Sequence, residues 1–281
     1  MFLPVFIAFL IFNYIPMVGI VLSFFEYTPF GRPVFIGFEN FRTLFSGHSF
    51  WTAFWNTLCI SLVNLGLGLF CAVGLALLID EIHSPFYRKL IQTINYIPHF
   101  LSWVVIASVF TMILSPKNGI VNGMLQLLGI KPIYFLADEK WWRTVFYCIN
   151  RWKETGWGTI IFVAAIAGVD QNLYEAAVID GVNRIQRVFF VTIPAIANTI
   201  LVVFILDLAK VLNIFDPVWV LQNPLVQRVS DVISTYVYRI GIDNADYGLS
   251  TAAGLFKSVI SVVLVTVANQ ASKKIKGEGL L

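Results

Sequence analysis

Charge is what this 281-residue chain has least of: Asp, Glu, Lys and Arg together make up 12% of it, against about a quarter in an ordinary globular domain. That scarcity excludes a water-soluble fold and points to an integral membrane protein. Cysteine is almost as rare, and Cys59, Cys71 and Cys148 show no C-x-x-C spacing, so neither a disulfide framework nor a thiolate metal site is built from them. Their places in or near apolar runs mark them as packing residues. No Gly-Lys pair occurs, so the phosphate-cradling G-x-x-x-x-G-K-[ST] loop is absent. If ATP drives this protein, another chain must bind it. The three histidines, His48, His83 and His99, lie in different segments, and no histidine-carboxylate cluster suits a metal. No G-x-S-x-G nucleophile elbow appears either. His99 and Ser102 share a predicted helix turn, but nothing supplies a third catalytic group, so the chain reads as a non-enzyme. A net charge of +3 with scattered basic residues gives no nucleic-acid footprint.

What the chain does have is apolar length. Hydrophobic residues make up 58% and the mean hydropathy is +0.79. About 20 apolar residues cross about 30 Å of hydrocarbon at 1.5 Å per residue. Such runs fall at roughly 3–25, 53–79, 90–114, 143–168, 189–213 and 250–270. The predicted fold is an all-α integral membrane protein with six transmembrane helices in one domain over 1–281. Gly66, Gly68, Gly74 and several alanines in the second run allow close helix packing, where lipid supplies no hydrophobic drive. The first run opens almost at Met1 without a basic leader. It is too long for a signal peptide and lacks a small-residue cleavage site, so it reads as a retained helix.

Lys and Arg orient the spans. One set of loops carries Arg88, Lys89, Arg184, Arg187, Lys273, Lys274 and Lys276; the other carries Arg32, Arg42, Lys117, Lys131, Lys140, Arg143, Arg228 and Arg239. The first set is about twice as dense in positive charge, which assigns its side to the cytoplasm.

Charged groups inside a span are costly, so each is near an interface, paired, or facing a wet cavity. The fourth run carries Arg151-Trp152-Lys153-Glu154 and Trp157, and the fifth carries Asp207 and Lys210. Counting residues from opposite ends puts both groups in the outer half of the membrane. Arg151 or Lys153 is then expected opposite Asp207, and Glu154 opposite Lys210. This is either a polar substrate cavity or an ion-paired clamp between helices. Trp152 and Trp157 are five residues apart and cannot both face one narrow site, so one lines the cavity while the other packs elsewhere. The stretch 214–249 reads as a long outer loop, either meeting a partner or capping the helices, with Asp231 to Arg239 forming a short surface helix.

Between the fourth and fifth runs lies a polar patch at 170–188. Glu175, Ala176 and Ala177 place one charge and two very small side chains on a helical turn. Gly181 ends that turn, and a second short helix runs into Pro194. This Glu-Ala-Ala, Asp180-Gly181 and Ile193-Pro194 register resembles the EAA signature of ATP-binding-cassette (ABC) importer permeases. Val182 replaces a usual small residue and Ile193 a usual leucine. Further stretches resemble the MalF-like carbohydrate branch and its polysaccharide and alginate-type members: Pro98-His-Phe-Leu-Ser-Trp-Val-Val105, Pro116-Lys-Asn-Gly-Ile-Val-Asn122, Trp152-Lys-Glu-Thr-Gly-Trp-Gly158 and Thr235-Tyr-Val-Tyr-Arg239.

The resemblance implies a type I importer permease in a bacterial cytoplasmic (inner) membrane. Its implied partners are a second homologous permease, two cytoplasmic ATPases holding ATP and Mg, an extracytoplasmic solute-binding protein and a saccharide cargo. Glu175, Ala176, Ala177, Asp180 and Gly181 would form the coupling helix that docks on the ATPase. Arg151, Trp152, Lys153, Glu154, Trp157, Asp207 and Lys210 would line the substrate pathway. The alternatives are an ABC permease for a non-sugar solute and a gradient-driven transporter or channel.

Overall fold

The computed structural model describes residues 2–27 and 31–276, without the side chains at 271 and 274–276. Lys274 and Lys276, which count toward the cytoplasmic charge, therefore fall outside the described side chains. Helix α1 (Phe2–Phe24) is followed by two antiparallel strands of two residues each, β1 (Phe25–Glu26) against β2 (Val34–Phe35), and then by α2 (Glu39–Ser46) and α3 (His48–Asp80). Helices α1 and α3 and the stretch Tyr247–Gln270 are each long and apolar enough to cross a membrane. Three bent pairs carry the remaining apolar runs. They are α4 (Pro85–Phe100) with α5 (Trp103–Ile113) at 101°, α7 (Glu139–Ala167) with α8 (Gln171–Ile179) at 71°, and α9 (Arg184–Ala195) with α10 (Ala197–Ala209) at 62°. Between α5 and α7 lies α6 (Ile120–Leu127). Counted with each pair as one span, the described residues make up to six crossings.

The third run, expected as one uninterrupted helix over 90–114, is broken. Pro98 sits in a 3-10 turn at Ile97–Phe100, Leu101 is extended, and the Ser102 hydroxyl accepts a 3.3 Å hydrogen bond from the Val105 N–H. Proline cannot donate to a helical ladder, and serine at an N-cap starts a new one. His99 and Ser102 thus lie on either side of a break and share no helix turn. The fifth run begins earlier than expected, at Arg184, and bends at Ile196 just past Pro194.

The core is organised about α3 and α7. On α7 the residues Trp142, Phe146, Ile149, Lys153, Gly156, Thr159, Phe162 and Ile166 are all buried, and their spacing of three and four draws one stripe along the helix. Toward one end of this stripe Trp142, Phe146 and Ile149 pack with Ile60, Ile106 and Val218. Toward the other, Phe162 and Ile166 pack with Ala72, Ala76 and Ile196. The opposite faces of both helices point outward, and so Cys59 and Cys148 are exposed and Cys71 is half-buried. All three are free thiols, and two of them are not the packing residues expected.

The stretch from 214 to 246 caps one end of the bundle through α11 (Asp216–Leu221), α12 (Gln227–Ser230) and α13 (Ile233–Tyr238), before α14 (Tyr247–Lys276). Asn56 on α3 donates to the carbonyls of Arg228 and Asp231 at 3.0 Å each, and the Trp142 indole donates to Leu221 at 3.0 Å. The expected surface helix at 231–239 is instead buried: Ile233, Thr235 and Tyr236 are inside. Asp231 accepts from the Thr235 hydroxyl at 2.7 Å and from both terminal nitrogens of Arg239, at 3.1 and 2.6 Å. These bonds satisfy a carboxylate that would be costly to bury alone. The hydrogen bonds to Asp231 hold the Arg239 guanidinium above its ordinary pKa, against the opposing effect of burial.

A second buried amide closes the loop before α6. Asn122 donates to the carbonyls of Leu114, Ser115 and Ile133 at 3.0, 3.2 and 3.0 Å and accepts from the Ile133 N–H at 2.8 Å. Asn122→Ala strands these groups and is expected to cost about 2–3 kcal/mol, lowering the melting temperature of the detergent-solubilised protein. An unchanged melting temperature would mean that the amide network contributes nothing to the loop's stability.

Candidate functional site

One cavity of ≈ 560 Å³ opens between α3, α7, the end of α10 and the start of α11. From α7 it receives Asn150, Arg151, Glu154, Trp157 and Gly158, which lie on one face because three or four residues make a helical turn. Helix α3 adds Ser61, Asn64 and Gly68, α5 adds Trp103, and the chain after α10 adds Lys210 and Asn213. Asp207 completes the set from α10 itself. Three buried atoms on residues of this wall, Ser61 Oγ, Asn64 Oδ1 and Arg151 Nε, have no hydrogen-bond partner.

Of the seven residues expected along a substrate pathway, five meet in this cavity and two do not. Trp152 turns away and packs edge-on against Phe110, with ring centroids 5.4 Å apart. Lys153 lies about 200° around the helix from Arg151 and is only 4% exposed. Its ammonium donates to the His99 carbonyl, lies 3.5 Å from the Pro98 carbonyl oxygen, and sits 5.4 Å from the centre of the Trp103 ring. It therefore secures the broken span rather than facing Asp207. The expected facing of Glu154 and Lys210 is replaced by a local pair: Glu154 Oε2 lies 2.8 Å from His99 Nδ1, and Glu154 Oε1 lies 3.6 Å from Lys153 Nζ. Arg151, Asp207 and Lys210 all line the same cavity.

His99, which sequence reasoning set aside, is brought by the fold against Glu154 and Trp157. Its ring stacks on Trp157 with centroids 4.5 Å apart and planes 4° from parallel, so His99 packs behind Trp157 and Glu154 of the cavity wall. Its signal in the sequence was Pro98, which marks the break that carries the imidazole back to α7.

The polar patch between the spans folds as an exposed elbow. Asp170 caps α8, its carboxylate accepting from the Asn172 N–H at 3.0 Å. At the other end Gly181 adopts φ +71°. Its N–H donates to Val178 at 3.1 Å and the Val182 N–H to Ala177 at 3.0 Å, the paired bonds of a Schellman ending. Asn183 and Gln186 then exchange bonds of 2.8 and 2.9 Å at the start of α9, a capping box. Ala177 is buried, whereas Glu175, Ala176 and Asp180 are exposed, as are Val178, Ile179 and Ile185. The elbow is tied to its neighbours by the Arg187–Glu81 ion pair at the end of α3 and by Tyr174 and Thr192, whose hydroxyls lie 3.2 Å apart.

Known proteins share this architecture over nearly the full chain. The polygalacturonan/rhamnogalacturonan transport system permease protein YteP of Bacillus subtilis (strain 168) is 38% identical, with 100% of this chain and 88% of that protein covered. The crystal structure of a bacterial ABC transporter involved in the import of the acidic polysaccharide alginate is 41% identical with a TM-score of 0.92, covering 98% of this chain and 94% of the matched one. The crystal structure of a bacterial alginate ABC transporter in complex with an alginate pentasaccharide-bound periplasmic protein is 40% identical with a TM-score of 0.93, covering 100% and 95%. Residues 64–277 match the family of binding-protein-dependent transport system inner membrane components. From cavity to capped elbow, this multi-pass membrane chain belongs to that family.

Proposed function

We propose that this chain is the permease subunit of an ATP-driven importer that moves an oligo- or polysaccharide by alternating access. The observation that carries the reading is the position of α7, which lines the cavity with Arg151, Glu154 and Trp157 and continues, after one bend, into the capped elbow of α8. A push on α8 is delivered to the helix that holds the cargo. Glu175, Ala176, Asp180 and Gly181 form the surface that meets the ATPase, with the exposed Val178 and Ile179 as its apolar contacts and the buried Ala177 seating the turn beneath it. Aromatic and polar groups together suit a sugar, whose ring offers apolar C–H faces and hydroxyl edges. The similarity to polygalacturonan and alginate permeases supports a saccharide with acidic units.

The assembly in this reading contains a second permease, two cytoplasmic ATPase subunits that hold ATP and Mg, and an extracytoplasmic binding protein. It sits in a bacterial cytoplasmic membrane with the α8 elbow on the cytoplasmic side. ATP hydrolysis belongs to the ATPase chains, because this one has no phosphate loop.

The test is accumulation of labelled oligogalacturonate, alginate oligomer and maltopentaose in vesicles carrying the chain with its companion permease, ATPase and binding protein. Uptake is expected to require both ATP and the binding protein. ATPase stimulation by amino acids or peptides instead of sugars would discard the saccharide; uptake driven by an ion gradient without the ATPase would discard the importer.

A further inference from the structure

The cavity wall holds a guanidinium that is seated but only partly used. Arg151 Nη2 donates to the side chain of Asn150 at 2.5 Å, while Arg151 Nε is buried with no partner. Of the carboxylates on the cavity wall, Glu154 is paired with His99 and Lys153, while Asp207 and Asp216 stand on the side of α10 and α11. Arg151 and Lys210 are both cations of this wall, and of the two only Arg151 presents a guanidinium, whose five donors form a planar fork that fits a carboxylate.

What sets its position lies across the helix pair. A Cβ placed on Gly68 of α3 would overlap Arg151 Nη1 and press on its Cζ, and no other atom lies closer to that position. The guanidinium rests on the bare backbone of α3, one turn from Asn64, whose Oδ1 is likewise without a partner. We propose that Gly68 is the positioning residue for Arg151, and that the seated Arg151 is the group that distinguishes a carboxylate-bearing saccharide from a neutral one. This rests on the saccharide reading above for its cargo and on geometry alone for the seat.

The overlapping atom is the tip of a flexible side chain, so Gly68→Ala displaces the guanidinium without a backbone clash, and Gly68→Val displaces it further. Two measurements separate the claims. In vesicles with the full transporter, the KM for a galacturonate pentamer relative to that for maltopentaose is expected to rise about tenfold in Arg151→Gln and in Gly68→Val, and severalfold in Gly68→Ala. In a cysteine-free background carrying Asn64→Cys, the anionic methanethiosulfonate reagent is expected to lose its rate advantage over the cationic one when either Gly68 variant is introduced, as it does in Arg151→Gln. The second measurement needs no cargo.

An unchanged reagent ratio in both Gly68 variants would overturn the seat, whatever the transport result. An unchanged KM ratio in Arg151→Gln would overturn its role in reading the carboxylate. Failure of the wild-type transporter to take up either sugar would instead count against the saccharide reading, while the reagent ratio still decides the seat. Should Gly68→Val fail to reach the membrane, Gly68→Ala alone carries both measurements.

Discussion

Gly181→Val is expected to leave the chain in the membrane and reduce ATP-driven uptake at least about tenfold. No atom lies within 4 Å of a Cβ built on Gly181, so the variant meets no steric wall. The penalty comes from the backbone: at φ +71° a β-branched side chain collides with its own main chain, costing about 1–2 kcal/mol. The chain escapes by leaving the left-handed region, which breaks the Val182-to-Ala177 bond and re-aims α8 relative to α9. Stability changes little because the elbow is exposed, but the surface offered to the ATPase turns. Gly181→Asn is the companion variant, because asparagine tolerates this conformation, and it should retain most uptake. Uptake and ATPase rates of both variants, compared at equal membrane level, check the claim. Wild-type uptake by the valine variant would remove Gly181 from the coupling surface.

Gly156→Ala should fail earlier, at folding. A Cβ on Gly156 would overlap the carbonyl oxygen and carbon of Asn95 and touch the Asn95 Cβ at 3.1 Å. Unlike the Arg151 tip, this neighbour is backbone, part of the last turn of α4 before the break at Pro98. It cannot swing aside; the two helices must separate, and the Lys153 bonds to Pro98 and His99 separate with them. Overpacking of this kind costs about 3 kcal/mol or more. The expected result is a marked fall in monodisperse protein after detergent extraction and a lower melting temperature for whatever remains. Gly158→Ala supplies the contrast on the same helix, since its added methyl would meet the Ala72 Cβ at 3.4 Å, an ordinary contact. Equal stability of the two variants would contradict the close approach of α4 and α7.

Both expectations trace to glycines that look alike in the sequence. Gly181 was legible there, because a glycine after a helical turn and before an N-capping Asn183 has a local meaning that backbone geometry enforces. Gly156 was not, and Gly68 was legible only as a close-packing residue, because what each one admits, a carbonyl of α4 or a guanidinium of α7, lies far away in the chain. The same division runs through the cavity. The run from Arg151 to Trp157 announced polar groups within an apolar stretch, and helical periodicity required Trp152 and Trp157 to diverge. Which tryptophan faced inward depended on where α3 and α10 pack.

Apolar run length and the scarcity of charge by themselves determined an all-helical membrane chain, since a hydrocarbon layer accepts only segments that satisfy their own backbone. Turn chemistry by itself determined the capped elbow at 170–188. Tertiary structure alone decided the breaks in the third and fifth runs, the burial of 231–239, and the partners of the intramembrane charges. Lys153 and Glu154 are neighbours in sequence, yet one is buried against the Pro98 break and the other lines the cavity and pairs with His99. A hydropathy run counts how many apolar residues follow one another, whereas pairing depends on which helix faces arrive together, and that is fixed by packing between segments distant in sequence.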